Sequence, residues 1–198
     1  DLHSFPTRRS SDLLSSGGLL PPVADRYGWV WTAADGALTS VGGLGQRAQL
    51  SVHWLEGREV TAVDLSAESA RLALRHRSRD DGGDERVSVA VIVRADDGTP
   101  SGLGEPLPLP LAAGSGVTGL AWCDPVNVAV LAPGEAGQGA LDVRYVQVGG
   151  MKASVAGTQG ARALVADRVS GAALLADDRG QVWQRKGATW REIGRAHV

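Results

Sequence analysis

Several residue types are scarce in this 198-residue sequence, which contains one cysteine, one methionine and one phenylalanine, while lysine occurs only at Lys152 and Lys186. A lone cysteine, Cys123, allows neither an internal disulfide nor a cysteine-based metal cluster. No window of about 18 apolar residues exists, so no transmembrane helix is predicted. The net charge is −2. Nucleic acids and anionic membrane surfaces need clustered Lys and Arg, and both are therefore poor candidates as partners.

Both ends of the sequence have unusual composition. The opening DLHSFPTRRSSDL is not a secretory signal, because Ser10, Ser11 and Asp12 follow Arg8 and Arg9 where an apolar core would be required. Written as codons, residues 1–13 and 193–198 resemble the two strands of a widely used short-read sequencing adapter. We therefore predict translated adapter at 1–13 and 193–198, and a native fragment at 14–192. The alternative is a disordered Ser/Arg-rich tail at each end.

Between the ends the pattern is strand after strand. The segment GWVWTAADGALTSVG places aromatic and apolar residues at period two around Asp35 and Gly36, which predicts a hairpin. Similar pairs of strands are predicted in VTAVDLSAESARLALRHRS, RVSVAVIVRADDGTP and VTGLAWCDPVNVAVLAPG. Only SAESARLALRHR competes as a helix, and its alternating apolar residues favour a strand. Residues 163–192 predict three strands separated by RVSG, DDRG and RKG turns.

Three segments repeat one plan of apolar strand, short polar turn and second apolar strand: VTAVDLSAESARLALRHR, VTGLAWCDPVNVAVLAP and ARALVADRVSGAALLADD. Four-stranded propeller blades recur at about 40 to 50 residues. The sequence therefore predicts an all-β partial β-propeller with about four blades of antiparallel four-stranded meanders. The insert GTPSGLGEPLPLPLAAGSG is predicted to be a loop or linker between blades. A β-sandwich is the alternative, since it also places short strands at regular spacing.

Few residues could act as catalysts. A Ser/His/Asp triad needs a histidine beside a nucleophile, and the native segment offers only His53 and His76. For both His53 and His76, we expect an ordinary histidine on a strand or at the surface. Cys123 follows Trp122 in an apolar strand, so a buried, unreactive thiol is expected. The Gly-rich string GGLGQRAQ matches neither a phosphate loop nor a dinucleotide fingerprint.

The carboxylates are predicted to have local roles. Three adjacent pairs, Asp80–Asp81, Asp96–Asp97 and Asp177–Asp178, fall in predicted turns, where Asp bonds the backbone. The segment RDDGGDER, with Asp84 and Glu85, could hold calcium but lacks the spacing of a calcium loop, so a solvated hairpin tip is favoured. Three further carboxylates occupy comparable places in the repeats and would mark a hydrolase if they converged: Asp64, Asp124 and Asp167. We predict that they form no cleft with perturbed carboxylate pKa values.

Six tryptophans are the remaining candidates for a binding surface. Trp29 and Trp31 share one face of a strand because they are two residues apart. Trp183 and Trp190 fall on neighbouring strands of the final hairpin. Tryptophan anchors protein interfaces, but we expect most of these side chains to wedge between blades. An exposed tryptophan would mark a partner surface.

Four segments in this order resemble the β-propeller of the actinobacterial LpqB-type lipoproteins: LLPPVADRYGWVWTAADGALTSV, VTAVDLSAESARLAL, VTGLAWCDPVNVAVLA and GQVWQRKGATWRE. The resemblance covers nearly all of residues 14–191, and the Arg-rich composition fits such a source. It implies later blades of a larger domain. In the intact protein it implies a lipid-attached N-terminal cysteine and a spore-germination-type domain, held outside the plasma membrane.

The resemblance also implies a function. Such lipoproteins work with the sensor histidine kinase of the MtrAB two-component system, so a non-catalytic interaction module that contacts the extracytoplasmic domain of the kinase is expected. The residues themselves predict no catalytic, cofactor or metal site, and they do not indicate which face binds a partner. The competing hypothesis is an extracytoplasmic carbohydrate-active or other hydrolytic propeller.

Overall fold

The computed structural model describes residues 22–34, 37–48, 50, 52–80, 84–111, 115–133, 141–150, 153–155, 160–167, 172–186 and 189–195. Within them the chain forms four antiparallel meanders, named blades 1 to 4, and one short 3₁₀ helix at His53–Leu55. No helix in this part of the chain is long and apolar enough to cross a membrane. The predicted all-β propeller of about four four-stranded blades is confirmed.

Blades 1 and 2 occupy the first half of the chain. Blade 1 consists of β1 (Val23–Ala24), β2 (Trp29–Ala34), β3 (Ala37–Gly42) and β4 (Arg47–Ala48). Blade 2 consists of β5 (Arg58–Leu65), β6 (Arg71–Ser78), β7 (Arg86–Arg94) and β8 (Pro100–Leu103), and β9 (Leu107–Pro108) also pairs with β7.

Blades 3 and 4 form one continuous sheet. Blade 3 consists of β10 (Gly119–Asp124), β11 (Asn127–Pro133), β12 (Leu141–Gln147) and β13 (Ala153–Val155). Blade 4 consists of β14 (Ala161–Asp167), β15 (Ala172–Asp177), β16 (Gln181–Lys186) and β17 (Thr189–Arg195). The two blades are joined by one backbone pairing between Leu141 and Ala161.

Alternation along the strands explains why the blades stack. In β11, Val128 and Val130 pack in the cluster shared with blade 2, whereas Ala129 and Leu131 pack in the cluster shared with blade 4. In the same way, Leu72 and Leu74 of β6 face blade 1. Successive side chains of a strand point to opposite faces, so apolar residues at consecutive positions supply two interfaces at once. Each of the three blade interfaces has its own buried apolar cluster.

Two predictions about strands are wrong. The Pro/Gly-rich insert is more than a linker, because Pro100–Leu103 forms the outer strand of blade 2 and Leu107–Pro108 pairs with β7. Proline is tolerated there because an edge strand need not donate every backbone N–H. The final segment contains four strands rather than three. The strand prediction for SAESARLALRHR is confirmed by β6, and the turn predicted at Asp35–Gly36 lies outside the described residues.

Candidate functional site

The first strands of the four blades surround a cavity of about 500 Å³. Its wall includes Val23 of β1, residues 61–64 of β5, Gly119 and Leu120 of β10, and residues 164–166 of β14. These strands are neighbours, since β10 contacts both β5 and β14, and β1 contacts β5. Small-molecule sites are commonly clefts of this size with mostly apolar walls. The cavity is therefore the candidate binding site of the described part of the chain.

Polar groups enter the cavity wall mainly near Arg75 of β6. Its Nε donates to Thr61 Oγ1 at 2.7 Å, and its terminal nitrogens donate to the carbonyl oxygens of Val117 and, at 3.4 Å, Thr61. Thr61 is the extra residue of a β-bulge, because the pairing with β6 shifts between Val60 and Ala62. Bulges re-aim side chains next to functional sites, and this one brings the threonine against the guanidinium.

The structure places the three repeat carboxylates in different settings. Asp64 is buried, lines the cavity and accepts the backbone N–H of Trp122 at 2.7 Å through Oδ2. Asp124 caps the β10–β11 turn by accepting backbone N–H groups of Val126 and Asn127. Asp167 ends β14 and is half-buried. Among these three, only Asp64 belongs to the described cavity wall.

His76 is buried, and a serine lies beside it. Its Nε2 lies 3.0 Å from Ser88 Oγ, and its Nδ1 accepts the Nε–H of Arg58 at 2.6 Å. Arg58 also bonds Asp84 through Oδ2 at 3.0 Å, and the Trp54 ring packs on the imidazole at 5.5 Å between centroids. Burial, and after it the charges of Arg58 and Arg86, lowers the pKa of His76 to about 4.

This arrangement has the polarity opposite to a catalytic Ser–His pair. In a triad, a carboxylate accepts the Nδ1–H of the histidine, so that Nε2 is free to take the serine proton. Here an arginine donates to Nδ1 of His76, and the neutral imidazole must therefore carry its proton on Nε2. That proton is donated toward Ser88, so His76 cannot act as a base for this serine.

The other candidate catalysts occupy ordinary positions. His53 is exposed on the 3₁₀ helix, with Nε2 3.5 Å from Glu105 Oε1. Cys123 is a buried free thiol, and burial is the main cause that raises its pKa to about 11. A thiol with a raised pKa is a poor nucleophile. The expectation of an ordinary strand or surface histidine is confirmed for both, since His53 is exposed and His76 lies on β6, and Cys123 is the expected buried thiol.

The segment RDDGGDER uses its described carboxylates for internal contacts. Asp84 accepts hydrogen bonds from Arg58 and Arg86, which together hold the pKa of its carboxyl below the usual range. Glu85 Oε1 accepts the backbone N–H of Val117 at 3.0 Å. Asp81 lies outside the described residues. Among the residues that the structure does describe, no group of three metal-ligating side chains is found.

The described members of the three aspartate pairs lie in or beside turns, as predicted. Asp97 Oδ1 accepts the backbone N–H of Thr99, and Asp177 Oδ1 accepts those of Arg179 and Gln181. These bonds are the Asx-type contacts that make aspartate favourable in turns.

All six tryptophans pack in the core clusters. Trp31 and Trp122 are buried, and the other four are partly buried against the clusters at the blade interfaces: Trp29, Trp54, Trp183 and Trp190. The expectation that most tryptophans wedge between blades is confirmed. None of them presents an exposed ring for a partner.

One turn that was not expected from the sequence occurs twice with the same spacing. In blade 1, Asp25 accepts the backbone N–H groups of Tyr27 and Trp29 and the indole N–H of Trp31. In blade 4, Asp177 makes the corresponding three bonds at positions +2, +4 and +6, the last from the indole of Trp183. The signal was present in the sequence as D-x-x-G-x-V-W at 25–31 and 177–183.

An exposed aromatic side chain projects from the first of these turns. Tyr27 is 52% exposed, and the guanidinium carbons of Arg94 and Arg26 lie over its ring at 4.3 and 5.4 Å from the centroid. Arg94 Nη2 also pairs with Asp25 Oδ2 at 2.5 Å, and the Asp25 side chain is fully buried. Tyrosine and arginine are the residue types enriched at binding hot spots. No local pattern in the sequence predicts this surface, because Arg94 reaches it from blade 2.

Comparison with solved structures supports the fold alone. A prolyl endopeptidase, described in a study of inter-domain dynamics in catalysis and specificity, is 14% identical with a TM-score of 0.54, covering 89% of this chain and 28% of that one. The Dos1 propeller is 12% identical with a TM-score of 0.41, covering 92% of this chain and 48% of that one. The chain thus spans less than half the length of either. No curated protein sequence matches it significantly.

The family comparison covers almost the whole sequence. The model of the lipoprotein LpqB β-propeller domain matches residues 6–198. The match overlaps the segments at 1–13 and 193–198, and residues 193–195 form the end of β17. The adapter origin of these two segments stays a prediction. Since the match extends over far more than half of the sequence, the chain belongs to the LpqB lipoprotein β-propeller family.

Proposed function

We propose that this chain is a non-catalytic, extracytoplasmic interaction module of a lipoprotein, and that it modulates a sensor histidine kinase of an MtrAB-type two-component system. In the intact protein a lipid anchor would hold the module on the outer face of an actinobacterial plasma membrane. Membership of a lipoprotein propeller family supports the first part. The kinase enters through the resemblance noted in the sequence, and its extracytoplasmic domain is the proposed contact.

The rigid surface around Tyr27 is the observation that carries this proposal. The tyrosine is half-exposed, yet its turn is held in place by two contacts from blade 2. Arg94 pairs with buried Asp25, and the backbone N–H of Arg26 donates to Ser69 Oγ at 3.0 Å. A pre-ordered aromatic side chain loses little conformational entropy on binding, which suits a protein contact.

The alternative, a carbohydrate-active or other hydrolytic propeller, needs two carboxyl groups facing each other across the substrate. Asp64 lies in the cavity wall, whereas Asp124 is engaged in capping its own turn. The only histidine–serine pair of the described residues, His76 and Ser88, has its proton on the wrong nitrogen for base catalysis. These observations favour the interaction module.

The direct test is an isothermal titration calorimetry experiment in which this chain is titrated with the purified extracytoplasmic domain of the kinase. We expect saturable binding by the wild-type chain and a loss of at least about tenfold in affinity for Tyr27→Ala, as for an aromatic hot spot. The matched control is Leu44→Ala, because Leu44 is 88% exposed in the β3–β4 turn of the same blade. Its affinity should stay within about twofold of wild type.

Two outcomes separate the parts of the proposal. Unchanged affinity in Tyr27→Ala would place the contact away from the Tyr27 surface, and an equal loss in Leu44→Ala would show that the loss is not specific to Tyr27. An absence of any binding by the wild-type chain would overturn the kinase as the partner. Thermal unfolding of each variant shows whether a loss of affinity reflects a loss of fold.

A further inference from the structure

Arg75 differs from the other partly buried arginines of the described chain. Arg58, Arg71, Arg94 and Arg185 each pair with a carboxylate: Asp84, Glu68, Asp25 and Asp124 respectively. Within the described residues Arg75 bonds only uncharged acceptors, namely the hydroxyl and carbonyl of Thr61 and the carbonyl of Val117. Its positive charge is therefore fixed in place without a paired negative charge.

The guanidinium also keeps unused donors. It carries five N–H groups, one on Nε and two on each terminal nitrogen. The three observed hydrogen bonds take one N–H from each nitrogen. One N–H therefore remains on Nη1 and one on Nη2, and a guanidinium with spare donors can bind a carboxylate through charge-assisted hydrogen bonds.

Arg75 is one of the residues that line the 500 Å³ cavity. The cavity is otherwise lined mainly by apolar side chains from the first strands of the four blades, including Val63, Leu120 and Leu164. A cavity with apolar walls and one fixed polar group selects a ligand with an apolar body and one matching polar end.

The charges near Arg75 restrict the ligand further. Glu85 lies close enough to affect the guanidinium, but its Oε1 is engaged by the backbone N–H of Val117. Asp64 lines the same cavity and is buried. A buried carboxylate in the wall disfavours a second negative charge on the ligand. A monoanion is therefore preferred over a phosphate dianion or a dicarboxylate.

We propose that this cavity binds a small monocarboxylate with an apolar body, whose two oxygens accept the remaining N–H groups of Arg75. The site is formed by Arg75 of β6 and by the first strands of the four blades, and it does not include Tyr27. It is independent of the kinase proposal, and either one can fail without the other.

The test is a titration of the isotopically labelled chain with 4-methylpentanoate, in which the NMR chemical shifts of the backbone amides are measured at each ligand concentration. We expect saturable shifts at residues 61, 63, 75 and 118–120, with a dissociation constant in the millimolar range that is usual for so small a ligand. The uncharged amide, 4-methylpentanamide, has the same shape and should bind at least about tenfold more weakly, because it replaces a charge-assisted pair. This comparison needs no substitution, so a folding defect cannot mimic its result.

Substitutions locate the site. Arg75→Gln should weaken binding of 4-methylpentanoate at least about tenfold. The matched control is Arg77→Gln on the same strand, because Arg77 is more exposed and pairs with Glu59 on the surface. It should leave the affinity within about twofold. The proposal is overturned if wild type shows no saturable shifts, if the amide binds as well as the acid, or if folded Arg75→Gln binds as wild type does.

Discussion

The two Asp–Trp turns share their local structure and differ in what surrounds them. In both, one carboxylate oxygen accepts two backbone N–H groups and the other accepts an indole N–H at 3.0 to 3.1 Å. Asp25, however, is also paired with Arg94 from blade 2. The contacts described for Asp177 come from its own hairpin. Seven residues are therefore enough to encode the turn. In the Asp25 copy, the pair with Arg94 also makes the turn a contact between blades 1 and 2.

The same difference appears in the electrostatics. Burial alone would raise the pKa of Asp25, but hydrogen bonds from Trp31 and Trp29 and the pair with Arg94 hold it below the usual range. For Asp177 burial is likewise outweighed, by the bonds from Gln181, Trp183 and Arg179. Both groups therefore stabilise the fold above the unfolded pKa of Asp, and this contribution is lost as the pH falls through their lower folded values.

Removing each carboxylate should give the largest difference between the turns. Asp25→Ala leaves Arg94 without its buried partner and should lower the free energy of unfolding by about 4 kcal/mol. Asp177→Ala should cost clearly less, because only contacts within its hairpin are lost. Urea denaturation at pH 7 measures both values. Equal losses would show that the neighbouring blade adds nothing to the Asp25 turn.

A pH series should separate the turns from the buried His76. Its folded pKa of about 4 is below the unfolded value of 6.5. The unfolded chain therefore binds a proton between these values while the folded chain does not, and stability falls as the pH decreases from 6.5 toward 4. From pH 7.5 to 5.0 we expect a loss of about 2 kcal/mol in urea denaturation.

Two variants assign that loss. His76→Gln should remove most of the pH dependence in this range, and His53→Gln, at the exposed histidine of the 3₁₀ helix, is the matched control. The pKa values of Asp25 and Asp177 are lowered by their hydrogen bonds, so these carboxyls should not contribute in this range. A wild-type slope retained in His76→Gln would place the titrating group elsewhere.

Replacing the indoles tests the shared hydrogen bond. Trp31→Phe should cost about 1.5 kcal/mol, because the indole N–H of fully buried Trp31 and its carboxylate partner are both desolvated. Trp183→Phe should cost about 0.5 kcal/mol, since this ring is only partly buried. Denaturation curves of the two variants decide the order, and a larger loss for Trp183→Phe would contradict it.

The turn glycines should respond alike, because their role is local. Gly28 has φ +83° and Gly180 has φ +72°, a region in which a Cβ is strained. We expect Gly28→Ala and Gly180→Ala each to cost about 1 kcal/mol. Gly104→Ala is the control, since its added Cβ would meet Val91 only at an ordinary 3.8 Å. A marked inequality between the two turns would show that tertiary context acts on the backbone as well.

Much of the fold was predictable because it is encoded by neighbours in sequence. The hairpins β5–β6 and β10–β11 follow directly from alternating apolar residues around short polar turns. The outer strand Pro100–Leu103 was missed because its proline and glycine suggest a loop. An edge strand tolerates both residues, and no local pattern distinguishes it from a linker.

The candidate site was far less predictable, because its members meet only after the blades stack. Arg75 lies opposite the bulge at Thr61 and reaches Val117 in the next blade. The proton position on His76 depends on Arg58 from an adjoining strand. Neither relation has a fixed spacing in sequence. Only the repeated D-x-x-G-x-V-W turn could have been found from letters alone.

The thiol of Cys123 offers an internal reporter of motion. It is the one cysteine in the sequence, and it is buried in the cluster shared by blades 3 and 4. A thiol reagent can reach it only when those blades separate or the chain unfolds. The labelling rate, compared with that of the unfolded chain, would therefore measure how often the interface between blades 3 and 4 opens in the native protein.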